Sequence, residues 1–390
     1  MNIIKTKRSA YAAIFSQFFL MGVLYSTILS RFPALQTQYQ MDMAQLSLVA
    51  FFISAGALSA APLCVWLSSK IGSRKMSLFG FLYIPALMLF VFAPSYQVLY
   101  IFVFIFGALM ELTDLSMNAN SIIVEHSYKR PIIGIFHAMF YVGVAVGGSV
   151  AILFMCVDAP LYIHFVTVSA VLLISFFFIR RGYLKDTPEK KVAEIVNGIE
   201  KKSRLSLPHG ILLLIAFIGF CGRIVEGAIS DWSTVYMKSM IDLQECFSPV
   251  GLIAYSLFLA FGRLFSDSIR KKFAPSLILL YCGIITSAGL IIMISGLNIY
   301  CAIGGLFVAG IGLSCFIPVI YSMAGNIAGV NPGTGLAMVS TISGTGFLFG
   351  PSVIGFVAEH FSLRIAFVYV LFITLILTML VKILRKKERK

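Results

Sequence analysis

The chain has 390 residues, of which 59% are hydrophobic and only 12% charged, and its mean hydropathy is +0.96. Soluble domains carry about 25% charged residues, so a water-exposed globule is excluded and the composition predicts an all-α membrane protein crossing the bilayer many times. The net charge of +14 would suit a nucleic-acid binder, but the placement of the basic residues, given below, argues against nucleic acid.

A span needs about 20 mostly apolar residues. Twelve stretches supply them: 9–30, 46–68, 76–94, 98–123, 132–157, 160–180, 210–235, 248–267, 275–296, 299–323, 335–358 and 362–384. The first follows Lys5, Lys7 and Arg8 as a signal peptide would. Its apolar run is longer than the 7–15 residues of a signal's apolar region, about 20, and no small-residue cleavage site follows. It reads as an uncleaved span. Gln17 within it can hydrogen-bond a solute or a neighbouring helix, and Arg31 after it sits at a membrane edge. The second span leads into a tight basic turn, Trp66 to Lys75, through Gly72.

The fourth and fifth spans carry the densest polar run. Glu111, Asp114 and Asn118 recur at i, i+3, i+7, one face of a helix. The chain then turns near Ser127 and Tyr128, and Pro131 opens the next helix. His137 and Tyr141 again share a face. Folding back there sets Asn118 level with His137 and Asp114 level with Tyr141. The expectation is one polar cluster shared by two adjacent antiparallel helices. A carboxylate at the bilayer centre costs about 2.5–3.5 kcal/mol on insertion scales, so such groups serve ions, protons or solute, or else satisfy one another as interhelical glue.

Residues 181–209 are polar, with Pro188 and Pro208, and divide the spans six and six. The expected organisation is an N-terminal bundle at 1–180, a linker at 181–209 with a short amphipathic helix near Val192–Ile199, and a C-terminal bundle at 210–390. In the seventh span Arg223 and Glu226, at i, i+3, can pair along one face, as a switchable or a static ion pair. Asp231 and Trp232 lie toward its outer end, where Trp232 reads as an interfacial anchor or a platform for a sugar-like ring. After the eighth span, Gly262 to Lys272, with Arg263 and Asp267, parallels the turn at Trp66 to Lys75. Aligning Leu115-Ser116 with Leu313-Ser314 sets Gly312 opposite Asp114 and Phe316 opposite Asn118. The tenth span therefore offers no acid and is expected to form an apolar wall broken near Pro318. Gly143 and Gly147 in the fifth span and Gly346 and Gly350 in the eleventh are spaced for close helix packing, which is also compatible with a sliding seam.

Of 30 Lys and Arg, 25 fall on one set of connections and termini, Arg31, Lys238 and Arg364 on the other, and Arg223 and Arg263 within spans. That split predicts cytoplasmic termini and accounts for the charge without nucleic acid, as topology signals and contacts to anionic lipid. The seven cysteines are odd in number, and all but Cys246 lie in apolar runs. Neither a disulfide framework nor a metal site is expected, and no cofactor or enzyme motif is visible.

Two parallel six-span halves with repeated basic turns resemble the major facilitator superfamily. Ser69 stands where the first turn usually carries an acid; Asp267 keeps one in the second. The central stretch is similar to the fucose-permease-like branch and its bacterial inner-membrane members: Asp114-Leu115-Ser116-Met117-Asn118-Ala119, Val124-Glu125, Arg130-Pro131, Phe136-His137-Ala138, Arg31-Phe32-Pro33-Ala34, and Glu226-Gly227-Ala228-Ile229-Ser230-Asp231-Trp232-Ser233. The resemblance implies two pseudo-symmetric six-helix bundles and a secondary active transporter of a small polar, sugar-like solute in the inner membrane, acting as a monomer. It gives proton coupling to Asp114, with Glu111 and Glu226 beside it. Gln17, Asn118, His137, Tyr141, Arg223, Asp231 and Trp232 become candidate solute ligands, and Gly72, Gly143, Gly147, Arg263 and Asp267 candidate conformational positions. The alternatives are a multidrug-type efflux pump, whose cavity would be apolar and aromatic, and a receptor that keeps the fold without flux.

Overall fold

All twelve predicted spans are helices in the computed structural model, each long and apolar enough to cross a membrane. The structure describes residues 2–128, 132–183, 210–296, 298–327, 330 and 332–388. The first half comprises α1 (Asn2–Leu29), α2 (Met43–Ile71), α3 (Ser73–Phe92), α4 (Tyr96–Tyr128), α5 (Ile133–Cys156) and α6 (Leu161–Ile179). The second comprises α7 (Gly210–Ser239), α8 (Val250–Lys272), α9 (Pro275–Ser295), α10 (Ile299–Ala324), α11 (Pro332–His360) and α12 (Leu363–Glu388). Two spans are interrupted. α3 is three helical pieces, and α10 breaks at Cys315, three residues before Pro318. Proline's missing N–H and its clash with the preceding turn explain a break there. Lys129, Arg130, Pro131 and the expected helix near Val192–Ile199 lie outside the described residues. The start of the expected linker is not free: Tyr183 is buried, and its hydroxyl donates to Gln17 at 2.7 Å.

Local chemistry sets the helix ends. Asp42 caps α2 in a reciprocal box with Gln45, the two bonds 2.6 and 3.1 Å, satisfying amides that have no intrahelical partner. Glu125 accepts from the Ile132 and Ile133 amides at 2.8 and 3.0 Å and so caps α5 from α4. Lys7 donates to the Ser127 carbonyl near the end of α4 at 2.8 Å, where the helix dipole favours a cation. Gly72, between α2 and α3, has φ 87°, a conformation that side-chain-bearing residues rarely adopt.

Each half repeats one packing. α5 lies on α1, and α11 on α7. Close approach requires glycine at these seams. A Cβ on Gly143 would overlap the Phe19 carbonyl, one on Gly22 the Phe140 carbonyl, and one on Gly346 would sit 2.5 Å from the Phe220 carbonyl. Gly143 and Gly147 thus serve the close packing of α5 on α1 within one half, as their spacing predicts. The halves meet instead through α2 on α11 and α5 on α8. α1 lies against both α4 and α5, which themselves touch little.

Candidate functional site

The predicted α4–α5 cluster does not form as expected, because close packing of α1 on α5 keeps α4 away. Asn118 turns back on its own helix, donating to the Asp114 carbonyl at 2.9 Å and to its carboxylate at 3.1 Å. His137 meets Phe18 of α1 edge-on, ring centroids 5.0 Å apart. Tyr141 reaches across to the other half. Its hydroxyl donates to Glu226 Oε1 at 2.6 Å.

Glu226 is the hub. Arg223 approaches its Oε2 at 3.0 Å and donates to the Tyr321 hydroxyl of α10 at 3.1 Å. Arg263 of α8 sits 3.4 Å from Glu226 Oε1 and 3.4 Å from the Tyr141 hydroxyl, its guanidinium 4.6 Å over the Tyr141 ring. The i, i+3 pairing expected in α7 is present, but it is part of a network spanning α5, α7, α8 and α10. Arg263, expected to work at the basic turn, belongs to this central network instead. Asp267, on the same helix, does stand near the turn, paired with Arg270 at 3.4 Å.

Glu111 and Asp114 occupy one face of α4 and are half-buried. They stand about one helical turn apart, at i and i+3, so their side chains are neighbours. Tyr141 and Arg223, where the halves meet, keep partial exposure, so a space between the halves reaches them. α1 and α7 show which way it opens. Both are almost entirely buried along their outer lengths, from Leu20 to Ser30 and from Ile224 to Met237, but carry exposed positions on the side of the basic turns, among them Ala12, Ile211 and Phe217. The space is closed on the side poor in basic residues.

Several ties make that closure. Tyr25 of α1 donates to Asp231 of α7 at 3.0 Å, both across the halves. The Met43 amide donates to Glu359 of α11 at 2.8 Å. Cys156, ending α5, and Cys246, before α8, form a disulfide with Cα atoms 5.0 Å apart. This corrects the expectation that no disulfide forms: the two cysteines are 90 residues apart, and only packing of α5 on α8 brings them together. Trp232 is buried at 1% exposure, so it is neither an interfacial anchor nor an open stacking platform. Trp66, 54% exposed, stands at the membrane edge instead. Gln17 is likewise removed from the open space, sealed at 0% exposure against Tyr183. Arg31 is no free edge residue. It donates to His164 Nδ1 at 3.1 Å and to the Ala159 carbonyl at 2.8 Å.

Sequence reasoning missed Tyr25, Tyr321, Arg263's central role and the cysteine pair. Tyr25 and Tyr321 are two of 16 tyrosines, and no local spacing singles them out. Among the described residues no group of three or more His, Cys, Asp and Glu could hold a metal.

A family model described as Major Facilitator Superfamily matches residues 14–303 and 250–390. An uncharacterized transporter of Sinorhizobium fredii is 24% identical over 95% of this chain and 96% of its own length. An uncharacterized MFS-type transporter of Yersinia pestis is 28% identical over 90% of this chain and 89% of its own. Among solved structures, a bacterial homologue of the human lysosomal transporter Spinster, in an inward-facing and occupied conformation, shares the fold with TM-score 0.77 at 12% identity, covering 96% of both chains. The activity is movement of a solute across a membrane, not enzymatic conversion. The chain belongs to the Major Facilitator Superfamily.

Proposed function

We propose that the protein is a secondary active transporter of the fucose-permease-like branch, moving a small polar solute by alternating access with proton coupling through Asp114. The two units, 1–180 and 210–390, rock about the central space while 181–209 joins them. The observation that carries this reading is the ionic network across the halves, in which Tyr141 of α5 donates to Glu226 of α7 at 2.6 Å beside Arg223 at 3.0 Å. Proton uptake by Asp114, which Asn118 holds on α4, removes a negative charge from the half that must part from Arg223 and Arg263, and so changes the attraction between halves. Glu111 and Glu226 are the acids that share this field. His137, Tyr141, Asn118 and Arg223 border the solute. The energy scale is adequate, since one charge crossing 100 mV is worth about 2.3 kcal/mol.

The basic residues support an inner-membrane location with both termini cytoplasmic, and the protein acts as a monomer among anionic lipids. The polar and charged lining favours this reading over an efflux pump for amphipathic drugs. Asp114→Asn in proteoliposomes with an imposed pH gradient tests the coupling: counterflow persists and gradient-driven accumulation disappears. Unchanged accumulation overturns the role of Asp114. A reporter fused after Lys390 tests the orientation, and activity of a periplasm-dependent reporter there overturns it.

A further inference from the structure

We propose that the transported solute carries an anionic group, a carboxylate or phosphate, that docks on Arg263. The inference rests on the transporter reading above and narrows its substrate class.

Arg263 is 7% exposed, within a membrane-spanning helix, and its Nε is buried with no hydrogen-bond partner among the described residues. Its two polar contacts, through Nη2, are both 3.4 Å, beyond the usual range of about 2.7–3.2 Å. The partners are already committed. Glu226 Oε1 receives the Tyr141 hydroxyl at 2.6 Å, and Oε2 receives Arg223 at 3.0 Å. One carboxylate therefore serves two guanidiniums, and the contacting groups carry a surplus positive charge. Tyr141 offers Arg263 a ring face and a hydroxyl but no counter-charge. Asp114 is held by its own Asn118 at 3.1 Å and, among the described residues, forms no ion pair with either guanidinium.

Nε and Nη2 form the edge of a guanidinium that meets a carboxylate or phosphate side-on, through two parallel N–H donors. On Arg263 that edge has one donor unpaired and the other weakly engaged. Arg223 keeps a buried Nε without an acceptor as well. An anionic solute entering the central space supplies both the charge and the planar acceptors that Glu226 cannot. A neutral hexose or polyol supplies hydroxyls and leaves the charge unmatched. The half-buried Tyr141 and Arg223 mark the route to the site from the open side.

The test uses the full-length purified protein and matched pairs at constant ionic strength: glucuronate with glucose, gluconate with glucitol, and glycerol 3-phosphate with glycerol. The expected result is a rise of several degrees in the thermal unfolding midpoint with at least one anion and none with its neutral partner. The carboxylate and phosphate arms decide which group is carried. Arg263→Gln abolishes the shift, and Arg263→Lys weakens apparent affinity at least tenfold by removing the side-on edge. Should Arg263→Gln not fold, Arg263→Lys carries the comparison. Equal shifts from neutral partners, no shift from any of the three anions, or a shift of undiminished size and affinity in the variant that folds overturns the docking. Counterflow separates this from the transporter reading. Uptake of a neutral member alone overturns the anion site and leaves the transporter. An anion that binds through Arg263 but is not exchanged in liposomes upholds the site and overturns transport.

Discussion

Glu226 gives one oxygen to Arg223 and the other to Tyr141 and Arg263. Removing a partner from a buried ion pair costs about 3–5 kcal/mol, because a charge is left unmatched. Glu226→Gln strands two guanidiniums, so its thermal midpoint should fall further than that of Arg223→Gln. The double variant should be milder than the sum of the two, with a coupling of about 0.5–3 kcal/mol; strict additivity in thermal unfolding would show that the pair is not coupled. The Tyr25–Asp231 bond contributes on the order of 1.5–3 kcal/mol, as hydrogen bonds to charged groups do, and it acts only while the outer side is closed. Tyr25→Phe, in a Trp66→Phe background, should raise quenching of Trp232 fluorescence by a water-soluble quencher. Quenching that does not change would remove Tyr25 from the closure. The pair within one helix, Arg223 with Glu226, was legible beforehand, because helical spacing alone brings the two together. Tyr25 with Asp231 and Arg263 with Glu226 were not, since no local period links residues on different helices.

Helix seams in this fold depend on a few positions without side chains. A Cβ on Gly143 would overlap the Phe19 carbonyl, which is backbone and cannot swing aside, whereas Gly304 in α10 has nothing within 4 Å of where its Cβ would lie. Gly143→Ala should therefore lower folded yield and the thermal midpoint. Gly304→Ala should leave both unchanged or slightly raised, since alanine favours a helix over glycine by about 1 kcal/mol. Equal behaviour of the two variants would show that the α1–α5 approach is not limiting. Gly72→Ala meets a different obstacle, a backbone at φ 87°, where strain is on the order of 1–3 kcal/mol. Only the spacing of the glycines of α5 and α11 was readable from the chain. That Gly143, Gly147, Gly346 and Gly350 pack each helix within its own half, while Gly148 and Gly355 face the other half, depends on which neighbour each helix turns toward.

At the scale of the whole molecule, the halves are tied on one face and free to admit solute on the other. The Cys156–Cys246 bond sits on the tied face. A disulfide holds its Cα atoms within about 4.4–6.8 Å, so the outer ends of α5 and the segment before α8 cannot separate while it is intact. Oxidised protein should exchange solute slowly in liposomes, and a membrane-impermeant reductant on the outer side should restore exchange. A Cys156→Ser, Cys246→Ser double variant should be fast in either condition. Equal rates before and after reduction would show that these ends need not part. The three basic residues of the outer side are each engaged: Arg31 with the α5–α6 turn, Lys238 with Glu245 at 2.6 Å, and Arg364 with the Ile294 carbonyl at 3.1 Å. Span number, the approximate place of each span and the asymmetry of basic residues followed from the chain alone, because transfer of each segment into hydrocarbon depends on its own composition. Which polar groups meet was decided only by the tertiary structure. Rotation and neighbour choice of a buried helix are set by how its small and large residues fit against others, so α1 packed on α5, kept α4 at a distance, and turned Tyr141 toward Glu226 and Arg263 of the other half.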